Sequence, residues 1–161
     1  RDGRPALRFT AEGHIEVPKS KSLDPSRSAW TVEVVARADK PDGVLVARGG
    51  SSHGYALWLK AGRPAFTVRT GGKATTVEGT ETVSAWTTFT GAITPEREMV
   101  LRINGRIVAR SKLPDFIVND PGNPMQIGAD LGSPVVEPAP PKFSGWIESV
   151  RILSGDPAVK P

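Results

Sequence analysis

Cationic and aromatic side chains lie on both sides of one glycine-rich segment of the sequence, Gly49–Gly54. Glycines permit close approach to the backbone, an arginine guanidinium forks onto a carboxylate or sulfate, and an aromatic ring packs against the apolar face of a sugar. These residue types therefore predict a glycan site, suited to an anionic glycan, at this loop and its flanking strands. The predicted ligand-binding residues are Arg48, His53, Tyr55, Trp58 and Arg69.

A second interpretation of the same residues involves no ligand. In that case Arg48 and Arg69 are solvated charges at strand ends, and Tyr55 packs at the rim of the core. The sequence leaves both interpretations open.

Four tryptophans are candidates for stacking on a sugar. Trp30 and Trp86 lie among alternating apolar residues, which predicts that they are in the core. Trp58 lies between two leucines of one predicted strand. Because adjacent side chains of a strand point to opposite faces, we expect the leucines to face the core and Trp58 to face outward. Trp146 follows a glycine and is expected to be partly exposed.

The acidic and nucleophilic residues form no recognisable catalytic set. A retaining glycosidase needs two carboxyl groups about 5–5.5 Å apart across the scissile bond. Glu33 and Glu148 stand alone on predicted strands, and the more closely spaced acids lie in predicted turns or at a strand start. The two histidines, His14 and His53, are not in a nucleophile-elbow context. Cysteine is absent, which excludes thiol catalysis and zinc–thiolate sites. Because none of these catalytic sets is recognisable, we predict that the chain is not an enzyme.

Composition and hydrophobic patterning predict an all-β fold. The 161 residues include 17 glycines and 15 prolines, too many chain breakers for a helical bundle. Short runs of alternating apolar and polar residues, separated by turn residues, predict at least nine strands in two antiparallel sheets packed face to face. These runs lie within 26–40, 43–48, 55–60, 64–70, 73–78, 86–93, 99–103, 106–111 and 146–153. Three tight hairpins are predicted, with Asn104-Gly105 as the strongest turn signal.

The chain has no internal repeat and no second domain boundary. We predict one domain over residues 1–154 and a C-terminal tail over 155–161. The net charge is +4, which mildly favours anionic partners. The basic residues are scattered singly, so no nucleic-acid partner is expected, and no apolar run is long enough to span a membrane.

Six segments, in order along the chain, resemble laminin G-like domains of the concanavalin A-like lectin/glucanase superfamily. They are residues 7–18, 29–34, 86–91, 101–109, 126–129 and 143–152. Residues 43–57 and 127–135 further resemble the laminin G-like domains at the C-terminus of secreted bacterial sulfatases. The resemblance implies an antiparallel jelly-roll sandwich, a secreted or periplasmic location, and a parent catalytic domain outside this chain. It implies that the chain is a non-catalytic carbohydrate-binding or substrate-positioning module of a larger secreted enzyme, such as a sulfatase.

The resemblance also makes calcium the cofactor to consider, because laminin G-like domains often hold it between acids near the first and last strands. Here Glu12-Gly13-His14 and Ile147-Glu148-Ser149 stand where aspartate pairs are expected, so we predict no cofactor, with Asp130 as the remaining candidate calcium ligand. A different class of function stays open. The chain could be a structural or interaction module that packs on its parent catalytic domain, or dimerises, and binds no glycan. An exposed aromatic ring beside basic groups would favour glycan binding, and a broad apolar patch would favour packing.

Overall fold

The computed structural model describes residues 3–155, in which strands account for almost all regular structure. The strands are β1 (Leu7–Phe9), β2 (Ile15–Val17), β3 (Trp30–Ala38), β4 (Gly43–Gly49), β5 (Gly54–Lys60), β6 (Arg63–Thr70), β7 (Lys73–Glu78), β8 (Thr87–Ile93), β9 (Glu98–Ile103), β10 (Arg106–Lys112), β11 (Met125–Ile127) and β12 (Gly145–Ser154). One short 3₁₀ helix covers Lys21–Leu23.

The strands form two antiparallel sheets of six strands each. Sheet A has the order β1-β12-β3-β8-β9-β10, and sheet B has the order β2-β11-β4-β5-β6-β7. The predicted all-β sandwich of two antiparallel sheets is confirmed. All nine predicted runs contain a strand, with ends that differ by a residue or two outside the longest run.

All three predicted hairpins are present, and both central residues of each turn have positive φ, as a type I′ turn requires. The turn pairs are Ala61-Gly62, Gly71-Gly72 and Asn104-Gly105. The Asn104 side chain also ties this turn to β8, because its Oδ1 accepts a hydrogen bond from the Thr88 N–H at 2.9 Å. These short-range turns fix the register of three strand pairs.

The main core lies between the two sheets. Trp30 is buried there, as predicted, with its ring centroid 4.4 Å from that of Tyr55 and 6.1 Å from that of Phe66. At another part of the core, Phe9 of β1 meets Phe143 edge to face at 6.2 Å. Each fully buried side chain of this size contributes about 1.5–3 kcal/mol by leaving water.

A second, smaller apolar cluster lies on the outer face of sheet B. The loop that follows β11 crosses this face and packs Val135 and Val136 against Trp58 and the alanines around it. This loop closes part of a sheet face that the strand pattern alone would leave in solvent.

Residues 1, 2 and 156–161 lie outside the described part of the chain, so most of the predicted tail is not described here. The single domain over 1–154 stays a prediction. Between residues 3 and 155 no helix has the length and apolar character needed to span a membrane.

Candidate functional site

Arg48 is buried, so it cannot present a guanidinium fork to a ligand as predicted. Its side chain is 0% exposed, and Arg48 pairs with Tyr55 across β4 and β5 on the face toward the core. The guanidinium donates to the Leu23 carbonyl and to Asp120 Oδ1 at 2.7 Å. Lys19 Nζ lies 3.1 Å from the other oxygen of the same carboxylate. Arg48 therefore ties the 3₁₀ helix and the loop before β11 to sheet B.

Tyr55 is also buried, which corrects its prediction as a sugar-stacking residue. It is 1% exposed, its ring packs on Trp30, and its hydroxyl lies 3.5 Å from the Met125 sulfur. Burial raises the pKa of Tyr55 far above its usual value, although the nearby Arg48 acts in the opposite direction. Tyr55 shares its strand face with Leu57 and Leu59, and all three side chains point into the core.

Trp58 points to the outer face of sheet B, as its strand position predicts, but it is covered. Val135 and Val136 pack over it, so only 8% of the residue is exposed. Its indole Nε1 donates to Thr67 Oγ1 at 3.0 Å. A buried ring with a satisfied N–H is a packing element, and it offers no face to a sugar here.

Arg69 and Asp130 hold the covering loop in place. Arg69 donates from Nε to the Val135 carbonyl and from Nη1 to the Gly72 carbonyl, each at 2.9 Å. Asp130 Oδ2 accepts hydrogen bonds from the N–H groups of Val135 at 2.9 Å and Val136 at 3.3 Å. Arg69 is half-buried by these contacts, which leaves it a poor candidate for ligand binding.

Asp130 does not fit a calcium ligand in this arrangement. The residue is 5% exposed, and one carboxylate oxygen is taken by two backbone N–H groups. Calcium needs six to eight oxygen ligands. Within residues 3–155 no three histidine, aspartate or glutamate side chains come together in a way that could hold a metal ion.

Burial raises the pKa of Asp130 above its ordinary value, and the hydrogen bonds from Val136 and Val135 and the charge of Arg69 oppose that rise. A carboxyl with a raised pKa in the folded state holds its proton longer there than in the unfolded chain. The wild type should therefore lose stability relative to the Asp130→Asn variant as the pH rises from about 4, with a constant difference at higher pH. Urea unfolding of both proteins between pH 3.5 and 8 measures this. A wild type that gains on the variant over this range would contradict the prediction.

His53 lines an open cleft at the Gly49–Gly54 loop. Its Nδ1 accepts a hydrogen bond from the Gly71 N–H at 3.2 Å. The cleft has a volume of about 160 Å³. Its polar side chains are Ser51, Ser52, His53, Asp120, Asn123 and Ser133. These groups suit the hydroxyls of a sugar, but no tryptophan, tyrosine or phenylalanine lines the cleft.

The same loop, Gly50–Gly54, has the spacing Gly-x-Ser-x-Gly, with Ser52 at the serine position. In hydrolases this spacing forms a nucleophile elbow, where a strand turns into a helix. Here the loop joins β4 directly to β5, and the Nδ1 of His53 is engaged with the backbone of Gly71. The loop therefore lacks the architecture of a serine nucleophile.

The outer face of sheet A carries a row of arginines and tryptophans that the sequence pattern does not predict. Strand pairing places Arg8 of β1 opposite Trp146 of β12, and Trp146 opposite Arg37 of β3. The guanidinium carbon of Arg8 lies 5.2 Å from the Trp146 ring centroid, and that of Arg37 lies 5.9 Å from the Trp86 ring centroid. Both are cation–π distances. We call Arg8, Trp146, Arg37 and Trp86 the arginine–tryptophan row.

The row is open to solvent at its charged groups. The side chains of Arg8 and Arg37 are 55% and 43% exposed. Asp39 lies beside both of them, with its carboxylate oxygens 3.2 Å from Arg8 and 3.9 Å from Arg37. Two cations and one carboxylate give this surface a net charge of +1, which attracts anions.

Trp146 is half-buried, which confirms its predicted partial exposure. Trp86 is half-buried as well, so its prediction as a core residue is wrong. Trp86 precedes the first residue of β8 and lies under Arg37 rather than between the sheets.

Comparison with known families identifies the chain. Residues 9–156 match the model of a laminin G family described as the concanavalin A-like lectin/glucanases superfamily. The chain belongs to this family. No curated protein matches this laminin G-like domain by sequence.

Solved structures share its fold at low sequence identity. Domains LG4-5 of the mouse laminin α1 chain superpose with a TM-score of 0.75 at 16% identity, covering 90% of this domain and 40% of that chain. The CBM40 of Ruminococcus gnavus IT-sialidase, bound to α2,3-sialyllactose, superposes with a TM-score of 0.66 at 15% identity, covering 94% of this domain and 92% of that chain. The binding domain of botulinum neurotoxin DC, in complex with SialylT, superposes with a TM-score of 0.66 at 12% identity, covering 89% of this domain and 36% of that chain.

These likenesses confirm the laminin G-like sandwich and extend no further than the fold. The chain spans less than half of the laminin chain it resembles. The narrower resemblance to the C-terminal domains of sulfatases stays a prediction.

Proposed function

We propose that this laminin G-like domain is a non-catalytic glycan-binding module that takes an anionic glycan on the arginine–tryptophan row. The observation that carries the proposal is the row itself: two half-buried indole rings, each beside an exposed guanidinium, on one sheet face. This is the combination of aromatic and basic groups that distinguishes a glycan-binding surface from a packing surface.

The chemistry of the row matches the two halves of an acidic sugar. The indole rings offer apolar surface to pyranose C–H groups, while Arg8 and Arg37 donate to a carboxylate or sulfate. Asp39 lies between the two cations and can accept hydrogen bonds from sugar hydroxyls. Two proteins of the same fold were solved in complex with sialyllactose and with SialylT. Their ligands combine an acidic group with a sugar ring, which supports the proposal.

Calorimetric titration with 3′-sialyllactose, with lactose as the uncharged comparison, tests the proposal. Sialyllactose should bind and lactose should bind more weakly. In the double variant Arg8→Gln, Arg37→Gln we expect sialyllactose to bind about tenfold to a hundredfold more weakly, because two charge-assisted hydrogen bonds are lost. Both replaced side chains are exposed, so the fold should survive the change.

Arg106→Gln is the matched control, since it removes the same charge from a side chain that is 66% exposed at the start of β10. That variant should bind like the wild type. Binding that is unaffected by the double variant would remove the arginine–tryptophan row from the proposal. A sulfated glycan in place of sialyllactose serves as the second anionic probe.

A second site for the same function is the cleft at the Gly49–Gly54 loop, where His53 remains accessible with serine and asparagine side chains. Its lining favours the hydroxyls of a neutral sugar. If His53→Ala lost glycan binding while the double variant Arg8→Gln, Arg37→Gln bound normally, the glycan site would lie in this cleft.

We further propose that the domain is secreted or periplasmic and is one module of a larger enzyme, such as a sulfatase. The support is the resemblance of residues 43–57 and 127–135 to modules of that kind, together with the absence of a recognised catalytic set. The complete reading frame tests this, because a sulfatase catalytic domain encoded in the same frame would establish the context. A frame without any catalytic domain would contradict it.

A further inference from the structure

A cavity of about 330 Å³ opens where the two sheets meet at the edge formed by β1 and β2. Each of these edge strands has only three residues, so the seam between the sheets is poorly covered on this side. Apolar side chains dominate the wall, mainly Leu7, Phe9, Ile15, Ile127 and Ile147. We call this cavity the seam slot.

The rim of the seam slot is unusually apolar for a protein surface. Leu7 is 61% exposed and Ile15 is 36% exposed, and they lie on the edge strands of the two different sheets. The other large exposed hydrophobic residues in the described part of the chain are Ile107 and Leu131. Contiguous exposed apolar surface of this kind is typical of an interaction site.

One carboxylate lies in this apolar wall. Glu148 sits at the register shift of β12 between Ile147 and Ser149, and its side chain is only 9% exposed. Its Oε1 accepts a hydrogen bond from Arg4 at 3.2 Å, while its Oε2 is buried and has no hydrogen-bond partner within residues 3–155. A carboxylate can only accept hydrogen bonds, so Oε2 lacks a donor, and leaving it unpaired is costly.

We propose that the seam slot binds a lysine or arginine side chain carried by an apolar segment of a partner polypeptide. The alkyl stem of such a side chain packs on the apolar wall, its charged head donates to Glu148 Oε2, and flanking apolar residues cover Leu7 and Ile15. Charge complementarity selects this occupant. A sugar would find only two polar side chains, Glu148 and Ser149, in a largely apolar cavity, which leaves most of its hydroxyls unpaired.

Entry to Oε2 requires that part of the wall move aside. Leu7, at the rim of the wall, is 61% exposed. An incoming basic side chain can displace Leu7 and take up the free oxygen, while Arg4 keeps its contact with Oε1.

The test is an NMR titration of the full chain with the peptide acetyl-Leu-Lys-Leu-Ile-amide and its norleucine counterpart. The lysine peptide should shift the amide resonances of Leu7, Ile15, Ile127 and Ile147, and should bind about tenfold more tightly than the norleucine peptide. Glu148→Gln should abolish this preference. Leu7→Ser should weaken both peptides several-fold, and Ile107→Ser, which alters a comparably exposed residue on β10 at the far edge of sheet A, should weaken neither.

Equal affinity for the two peptides, or a lysine preference that persists in Glu148→Gln, would overturn the proposal. If the wild type self-associates and Leu7→Ser abolishes that self-association, the occupant of the seam slot is a second copy of the chain, and the proposal is overturned. Binding of 3′-sialyllactose should be the same in wild type, Glu148→Gln and Leu7→Ser, so this outcome is independent of the glycan site proposed above.

Discussion

Replacing Arg48 with alanine should lower the free energy of unfolding by about 3–5 kcal/mol, because removing one side of a buried ion pair leaves the Leu23 carbonyl without this donor and Asp120 with only its Lys19 contact. The Arg48 side chain is fully buried, and it holds both the Leu23 carbonyl and Asp120. Its loss leaves a cavity and releases the loop before β11 from sheet B. Urea denaturation at neutral pH measures the change.

Lys19→Ala is the matched control, because Lys19 pairs with the same Asp120 carboxylate from a side chain that is 48% exposed. An exposed pair contributes about 0–1 kcal/mol, so this variant should be close to wild type. If Arg48→Ala were as stable as Lys19→Ala and bound glycans less well, Arg48 would be a ligand residue after all.

Tyr55→Ala should cost about 3–5 kcal/mol of unfolding free energy, as expected for deleting a large aromatic side chain from a core. Tyr55→Phe should cost no more than about 1 kcal/mol, since the lost hydroxyl meets only a thioether sulfur, a weak acceptor. Sialyllactose binding by Tyr55→Phe should equal that of the wild type. Weaker binding by a stable Tyr55→Phe variant would contradict the burial of this side chain.

The raised pKa of Tyr55 adds a pH signature to the same pair of proteins. In the unfolded chain Tyr55 ionises near pH 10, while in the core it keeps its proton. The wild type should therefore lose stability relative to Tyr55→Phe as the pH rises above about 10. A constant difference up to pH 11 would show that the phenol reaches solvent.

Local patterns in the sequence were sufficient for the nine longer strands and the tight turns, but not for the three-residue strands β1, β2 and β11. Asn104 and Gly105 specify a type I′ turn within four residues, and alternation along β5 predicts which of its residues face inward. The same alternation places Tyr55 on one strand face with Leu57 and Leu59, and it therefore also indicates that Tyr55 is buried.

The burial of Arg48 and of Trp58 depends on contacts far along the chain. Asp120 is 72 residues from Arg48, and Val135 covers Trp58 from a loop that has no regular pattern. A cationic residue that alternates with apolar residues in a strand indicates a buried side chain only when its ion-pair partner is known. No local motif supplies that partner.

The sequence pattern does not predict the arginine–tryptophan row. Arg8 and Arg37 both lie opposite Trp146, although more than 100 residues separate Trp146 from either of them. Register between such distant strands is set by how the whole sandwich packs, and a shift of one residue would send each side chain to the other face. The sequence did indicate that Trp146 would be partly exposed.

The strand order of both sheets has a consequence for how the chain folds during synthesis. The runs β4 to β7 and β8 to β10 each pair in sequence, so they can form as soon as they leave the ribosome. By contrast, β12 must insert between β1 and β3, and β11 between β2 and β4. Until these two strands are made, the nascent chain carries open, apolar strand edges, which are the usual sites of aggregation. The C-terminal third of the chain therefore controls when the sandwich closes, and a truncation before β11 should leave both sheets incomplete.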